Sequence, residues 1–163
     1  MASDNKLRRT MEPASLDLER FLPYRLSVLS NTVSTAIAET YSTRYGLSIP
    51  EWRVIAVLER FPGISAAEVA ERTAMDKVAV SRAVSRLLKS NRIRRNFADA
   101  DRRRSILDLS ASGKRLYQRI APMLLRYESA LLSALDASER QQLDAILQRL
   151  ADRASHLGRA EDD

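Results

Sequence analysis

Eleven arginine and lysine side chains fall between Arg72 and Arg104, against three acids, Asp76, Asp99 and Asp101. The stretch carries +8 in 33 residues, while the whole chain of 163 residues carries +6, so everything outside it sums to −2. A local cationic block attracts polyanions, and nucleic acid is the partner such a footprint suits. The chemistry on offer is binding rather than bond-making. Cysteine is absent and His156 is the single histidine. Disulfides, thiolate nucleophiles and thiol redox sensing are therefore excluded, and one imidazole is not the three or four clustered ligands of a metal site. No Gly-rich nucleotide loop and no nucleophile with its base is visible. The expectation is a protein that is not an enzyme and needs no cofactor.

The elements that must hold those charges can be read from periodicity. Residues 1–15 form a polar tail without the apolar segment of a signal peptide, and no apolar run approaches a membrane span, so a cytoplasmic location is the default. From about Asp17, Leu18, Leu22, Leu26, Leu29, Val33 and Ile37 recur at spacings of three and four, predicting a long helix that Tyr41 and Tyr45 continue and Gly46 ends. Ser48 to Glu51 and Ser65 to Glu68 are capping boxes opening two shorter helices, and Asp76 is a candidate N-cap for a fourth. The period then changes to that of two short strands, Ile93 to Phe97 and Ser105 to Leu109, with residues 98–104 as a polar tip. A helix from about Ser110 to Leu135 and another capped by Asp136 complete the chain. The expected organisation is a tail (1–15), an N-terminal helix (16–47), a reader domain (48–110), C-terminal helices (111–157) and a short acidic tail (158–163).

The fourth helix has two unlike faces. Val80, Val84, Leu87 and Leu88 gather on one, while Val78, Ala79, Arg82, Ser85, Arg86 and Lys89 gather on the other. A helix that enters a ~12 Å major groove must bury one stripe and present small and basic residues outward. Arg82 and Arg86 suit guanine edges or phosphate, Lys77 a base edge or the backbone, and Ser81 a phosphate. Taken alone, these charges also read as a solvated helix face. The hairpin shifts the balance, because Arg102, Arg103 and Arg104 repel one another unless something anionic meets them, as a narrow minor groove does. The rival class is a non-regulatory winged-helix protein, architectural or RNA-binding.

The run Asp101 to Gly113 (DRRRSILDLSASG) resembles the wing signature of the MarR family of bacterial transcriptional regulators, which reads D-x-R, a strand ending L-T, then x-x-G. Lys77 to Arg82 is similar to the start of that family's recognition helix, and residues 17–157 follow its helix order. Ser110 stands where the family usually has Thr, which keeps a capping hydroxyl. The resemblance implies a mainly α fold with a small β-hairpin, a winged helix-turn-helix whose long N- and C-terminal helices interleave with those of a second copy. It implies a wing with Arg103 near its tip and Asp101 orienting it, and a dimer on a palindromic double-stranded operator with half-sites ~34–36 Å apart.

It also implies a small organic ligand, often a phenolic or aromatic acid, bound between reader and dimer helices. Candidate lining residues are Tyr24, Arg25, Tyr41, Trp52 and Arg53, although the aromatic ones read more readily as core. The segments Phe21 to Leu26 and Ile49 to Arg53 are similar to a subgroup controlling aromatic-acid degradation, some of which respond to acyl-CoA thioesters.

Overall fold

The structure, a computed structural model, describes residues 16–98 and 101–160, apart from the side chains of residues 98, 101–104 and 158–160. Its elements are α1 (Leu22–Tyr45), α2 (Ile49–Arg60), α3 (Ala66–Thr73), α4 (Lys77–Lys89), β1 (Ile93–Ala98), β2 (Asp101–Leu109), α5 (Ala111–Leu132) and α6 (Ala137–Ala160). This is the expected helical order with one antiparallel hairpin. The chain divides into two compact units, one ending at Ala36 and the other starting at Ile37. The expected tails fall on residues 1–15, outside the described set, and on 158–163, of which residues 158–160 continue α6.

In the first unit, α1 starts at Leu22, five residues later than the apolar stripe suggests. Residues 18–20 form a turn, closed by the Phe21 N–H donating to the Asp17 carbonyl at 2.9 Å. Pro23 explains the delay. It has no N–H to give and fits the first turn of a helix, whereas a start at Asp17 would place it in the interior.

In the second unit, local chemistry fixes where each helix begins. The Ser48 N–H donates to Glu51 Oε2 at 2.9 Å while Ser48 Oγ accepts from the Glu51 N–H. The same reciprocal box joins Ser65 to Glu68 and Asp136 to Glu139. Each satisfies two N–H groups that a helix start would otherwise leave unpaired. Helix α3 ends on Ala74 in a left-handed conformation (φ 50°), and Asp76 Oδ1 then accepts from the Ala79 N–H at 2.8 Å to open α4. That tight break sets α4 across α3.

The core gathers Val54, Ile55 and Leu58 of α2, Val69 of α3, Val80, Val84 and Leu87 of α4, and Ile120 of α5, joined by Tyr41 and Leu47. Ile93, Leu107 and Leu109 close it from the hairpin. Each side chain of this size gains roughly 1.5–3 kcal/mol from full burial. The hairpin is tied down by a third segment, since the Leu107 N–H donates to the Ile64 carbonyl at 2.8 Å and the Gly63 N–H to the Leu107 carbonyl at 3.1 Å.

The hairpin departs from expectation at its tip. Strand β2 begins at Asp101, so the backbones of Arg102 to Arg104 belong to the strand rather than to a loop. The register explains it: Phe97 pairs with Ser105, an irregularity follows, and Ala98 pairs with Asp101. A bulge lets extra residues be absorbed on one strand while the ladder resumes beyond them, which returns backbone groups to hydrogen bonding.

Helix α5 begins with Ser110 Oγ accepting from the Gly113 N–H at 3.0 Å and donating to the Asn91 carbonyl at 2.6 Å. It ends at Leu132, three residues short of the expected Leu135, before the Asp136 cap opens α6. Among the described side chains of helix α6 none is buried, and Ile146, Leu147, Leu150 and Leu157 are exposed along it.

Candidate nucleic-acid interface

Helix α4 is held by one face and free on the other. Val80, Ala83, Val84 and Leu87 are buried, which fixes its rotation. Lys77, Val78, Ser81, Arg82, Ser85 and Arg86 are exposed, and Ala79 is half-buried at the edge. Six of the seven residues expected to face a ligand on this helix therefore lie fully outward. Ala83 was not assigned from sequence, and its small side chain fills the inner stripe between Val80 and Leu87.

A groove of about 250 Å³ runs between the first turn of α3 (Ala66, Ala67) and the exposed side of α4 (Lys77, Ser81, Ser85). Arg95 of β1 lines it too. In the sequence Arg95 stands out only as part of the charge. The strand period could have placed it, because Arg95 lies two residues from buried Ile93 and so on the same sheet face. Hydroxyls, a lysine and an arginine around one shallow groove are the donors that a phosphodiester backbone accepts from.

The other arginines of the basic stretch have different surroundings. Arg72 lies 4.1 Å over the Phe61 ring. Arg92 donates from its guanidinium to the Tyr45 carbonyl at 2.7 Å, capping the C-terminal end of α1. Arg94 is the cross-strand register partner of Asp108, and the Asp108 carboxylate accepts from the Asn96 amide at 3.2 Å. The expected roles of Asp101, Arg102, Arg103 and Arg104 concern side chains outside the described set; their backbones lie in β2.

The ligand candidates divide between the two units. Tyr24 and Arg25 in the first line a groove of about 560 Å³ with Leu22, Leu26 and Leu29 on one face of α1. In the second, Tyr41 and Trp52 are buried, with ring centroids 5.7 Å apart. Tyr117 of α5, which sequence reasoning missed, stacks on Trp52 at 5.7 Å with only 10° between the planes. Burial pushes the Tyr41 phenol up to about 12, against a smaller opposite effect of the Arg53 guanidinium. Among the described residues no group of His, Cys, Asp or Glu could hold a metal ion, and no helix is long and apolar enough to cross a membrane.

A helix locked against two others by its inner face, with a paired hairpin behind it, is a winged helix-turn-helix, a fold class that binds DNA. Residues 45–104 match the family model described as MarR family.

The chain is 25% identical over 131 residues to an HTH-type transcriptional repressor of Mycobacterium bovis, covering 80% of this chain and 91% of the relative. It superposes on a MarR/EmrR family transcriptional regulator from Acinetobacter sp. ADP1 with a TM-score of 0.80 at 26% identity, over 86% of this chain and 99% of the other. It also matches the PcaV transcriptional regulator of Streptomyces coelicolor, solved with its natural ligand, with a TM-score of 0.72 at 25% identity, over 87% and 99% of the two chains. The chain is thus similar to transcriptional regulators along most of its length.

Proposed function

We propose that this chain is a ligand-responsive dimeric repressor that binds a palindromic operator in double-stranded DNA. The observation that carries the reading is the two-sidedness of α4, buried through Val80, Val84 and Leu87 and exposed through Lys77, Val78, Ser81, Arg82, Ser85 and Arg86. In this reading Arg82 and Arg86 meet base edges in the major groove, with Val78 and Ala79 allowing close approach. Lys77, Ser81 and Ser85 meet phosphates, and Arg102 to Arg104 form the wing in the flanking minor groove with Asp101 orienting it.

The inducer in this reading is an aromatic or phenolic acid or its CoA thioester. The Tyr41, Trp52 and Tyr117 rings with Arg53, and Arg25 beside Tyr24, are the aromatic and cationic groups that would receive such an acid. The ligand acts by binding more tightly to the state in which the two readers are wrongly spaced for DNA. The likeness to a repressor and to a regulator solved with its natural ligand supports both halves of the reading.

Footprinting of the purified protein on the intergenic DNA upstream of its own coding sequence tests it. Two protected half-sites about one helical turn apart are expected, and uniform coverage without a site would favour the architectural or RNA-binding alternative. Titration of aromatic acids and CoA thioesters, followed by fluorescence of Trp52, tests the inducer; an unchanged signal with all of them would remove it.

A further inference from the structure

In the reader, residues 48–110, two large apolar side chains are exposed among those described, Val78 and Phe97. Val78 lies on α4 among the residues already assigned to DNA. Phe97 is 61% exposed and has no role so far. It sits at the end of β1, and its position in the ladder is informative. Side chains two apart on a strand share a face, and directly opposed residues of an antiparallel pair do too. Phe97 therefore shares a face with Ile93 and Arg95, and across the ladder with Ser105, Leu107 and Leu109. Ile93, Leu107 and Leu109 on that face are buried in the core. Arg95, next along, lines the groove beside Lys77, Ser81 and Ser85. The stripe thus runs from the core, past the groove, to an uncovered aromatic ring at the outer part of the hairpin.

Ordered water gains nothing from a bare phenyl ring, and a ring left open on a hairpin is a site for unwanted association. Its surroundings in sequence are strongly cationic, with Arg94 and Arg95 before it and Arg102 to Arg104 after it. That charge repels another basic protein surface and draws in a polyanion that also offers apolar area. The deoxyribose edges lining a minor groove are such a surface, and DNA-binding proteins place Phe against them or between base steps.

We propose that Phe97 is a DNA contact of the wing, packing its ring on the deoxyribose wall of the minor groove that flanks the half-site. The inference rests on the regulator reading above and adds to it a salt-independent, apolar share of the wing's affinity. Arginine contacts release counterions and steepen the salt dependence of binding, whereas a ring against sugar carbons does not.

The test compares the wild type with Phe97→Ala and Phe97→Leu on the footprinted site across a range of salt concentrations. Phe97→Ala is expected to bind about tenfold more weakly. The slope of log affinity against log salt should stay unchanged, and Phe97→Leu should recover most of the loss. Hydroxyl-radical footprinting, which reads deoxyribose exposure, should lose protection at the flanking minor groove in Phe97→Ala and keep it in Arg82→Ala. Because the ring is exposed, the thermal midpoint of Phe97→Ala should match the wild type; a lowered midpoint with unchanged binding would make Phe97 a structural residue and overturn the proposal. Equal affinity for Phe97→Ala and wild type, or a loss accompanied by a flatter slope, would overturn it and leave the regulator reading standing. Failure of the wild type to bind any specific site would overturn both.

Discussion

Gly113 shows how one residue can decide the position of an element. A Cβ built there would lie 2.0 Å from the Arg92 carbonyl oxygen, which is backbone and cannot swing aside. That carbonyl also accepts from the Ser110 N–H and hydroxyl, so the first turn of α5 is clamped to the start of β1. Gly113→Ala should cost about 3 kcal/mol or more through this overlap, measured by denaturant unfolding. The glycine was legible in the sequence as the end of the wing signature, but its cause was not, because a contact between residues 92 and 113 leaves no local periodicity.

Tyr41 gives a second residue-scale expectation. Burial holds its phenol neutral, with a folded pKa of about 12 against the ordinary 10.0. Above the unfolded pKa, the native state binds more protons than the unfolded one. Stability contributed by this group is therefore complete below pH 10 and is lost as pH rises toward 12. Stability measured across that window should fall in the wild type, with a shallower fall in Tyr41→Phe. Equal slopes would mean that Tyr41 is not the group responsible.

At the scale of elements, the reader depends on the break that separates α3 from α4. Ala74 turns that corner at φ 50°, a conformation that costs a residue with a Cβ about 1–2 kcal/mol. Ala74→Gly should relieve the strain at the expense of some added freedom in the unfolded chain, for a net stabilisation of about 0.5–1 kcal/mol. A lower thermal midpoint in that variant would show that Ala74 makes packing contacts outweighing its strain.

Helix starts were the most legible part of the fold, since Ser48, Ser65, Asp76 and Asp136 announce themselves through side chains that hydrogen-bond within three residues. The inner and outer faces of α4 were legible for the same local reason. Strand limits were not. The irregularity after Phe97 shifts the pairing so that β2 starts at Asp101, and a register change depends on a partner strand that a single run of residues does not display. The Trp52–Tyr117 stack was missed on the same grounds, as it joins α2 to α5 across 65 positions of sequence.

At the scale of the whole molecule, the helices outside the reader leave apolar side chains open. Leu22, Leu26 and Leu29 of α1 are exposed, as are Ile146, Leu147 and Leu157 of α6. Apolar area of this extent on long helices calls for a covering surface, and a second copy related by two-fold symmetry would supply one. Analytical ultracentrifugation at micromolar concentration should find a dimer; a folded, monodisperse monomer would contradict it.

The stretch from Arg72 to Arg104 carries +8 in a chain whose remainder sums to −2, so in the dimer proposed above the remainder would set the distance between two readers without competing for DNA. That the stretch from Arg72 to Arg104 reads DNA through distinct base and backbone contacts is tested most directly by the salt dependence of operator binding for the wild type, Arg82→Ala and Arg103→Ala. Wild-type affinity should fall linearly in log salt. Arg82→Ala should lose about 1–3 kcal/mol on the operator and discriminate less against altered sites. Arg103→Ala should weaken all sites alike and reduce the salt slope by about one. Binding of both variants indistinguishable from wild type, in affinity and in slope, would contradict the assignment.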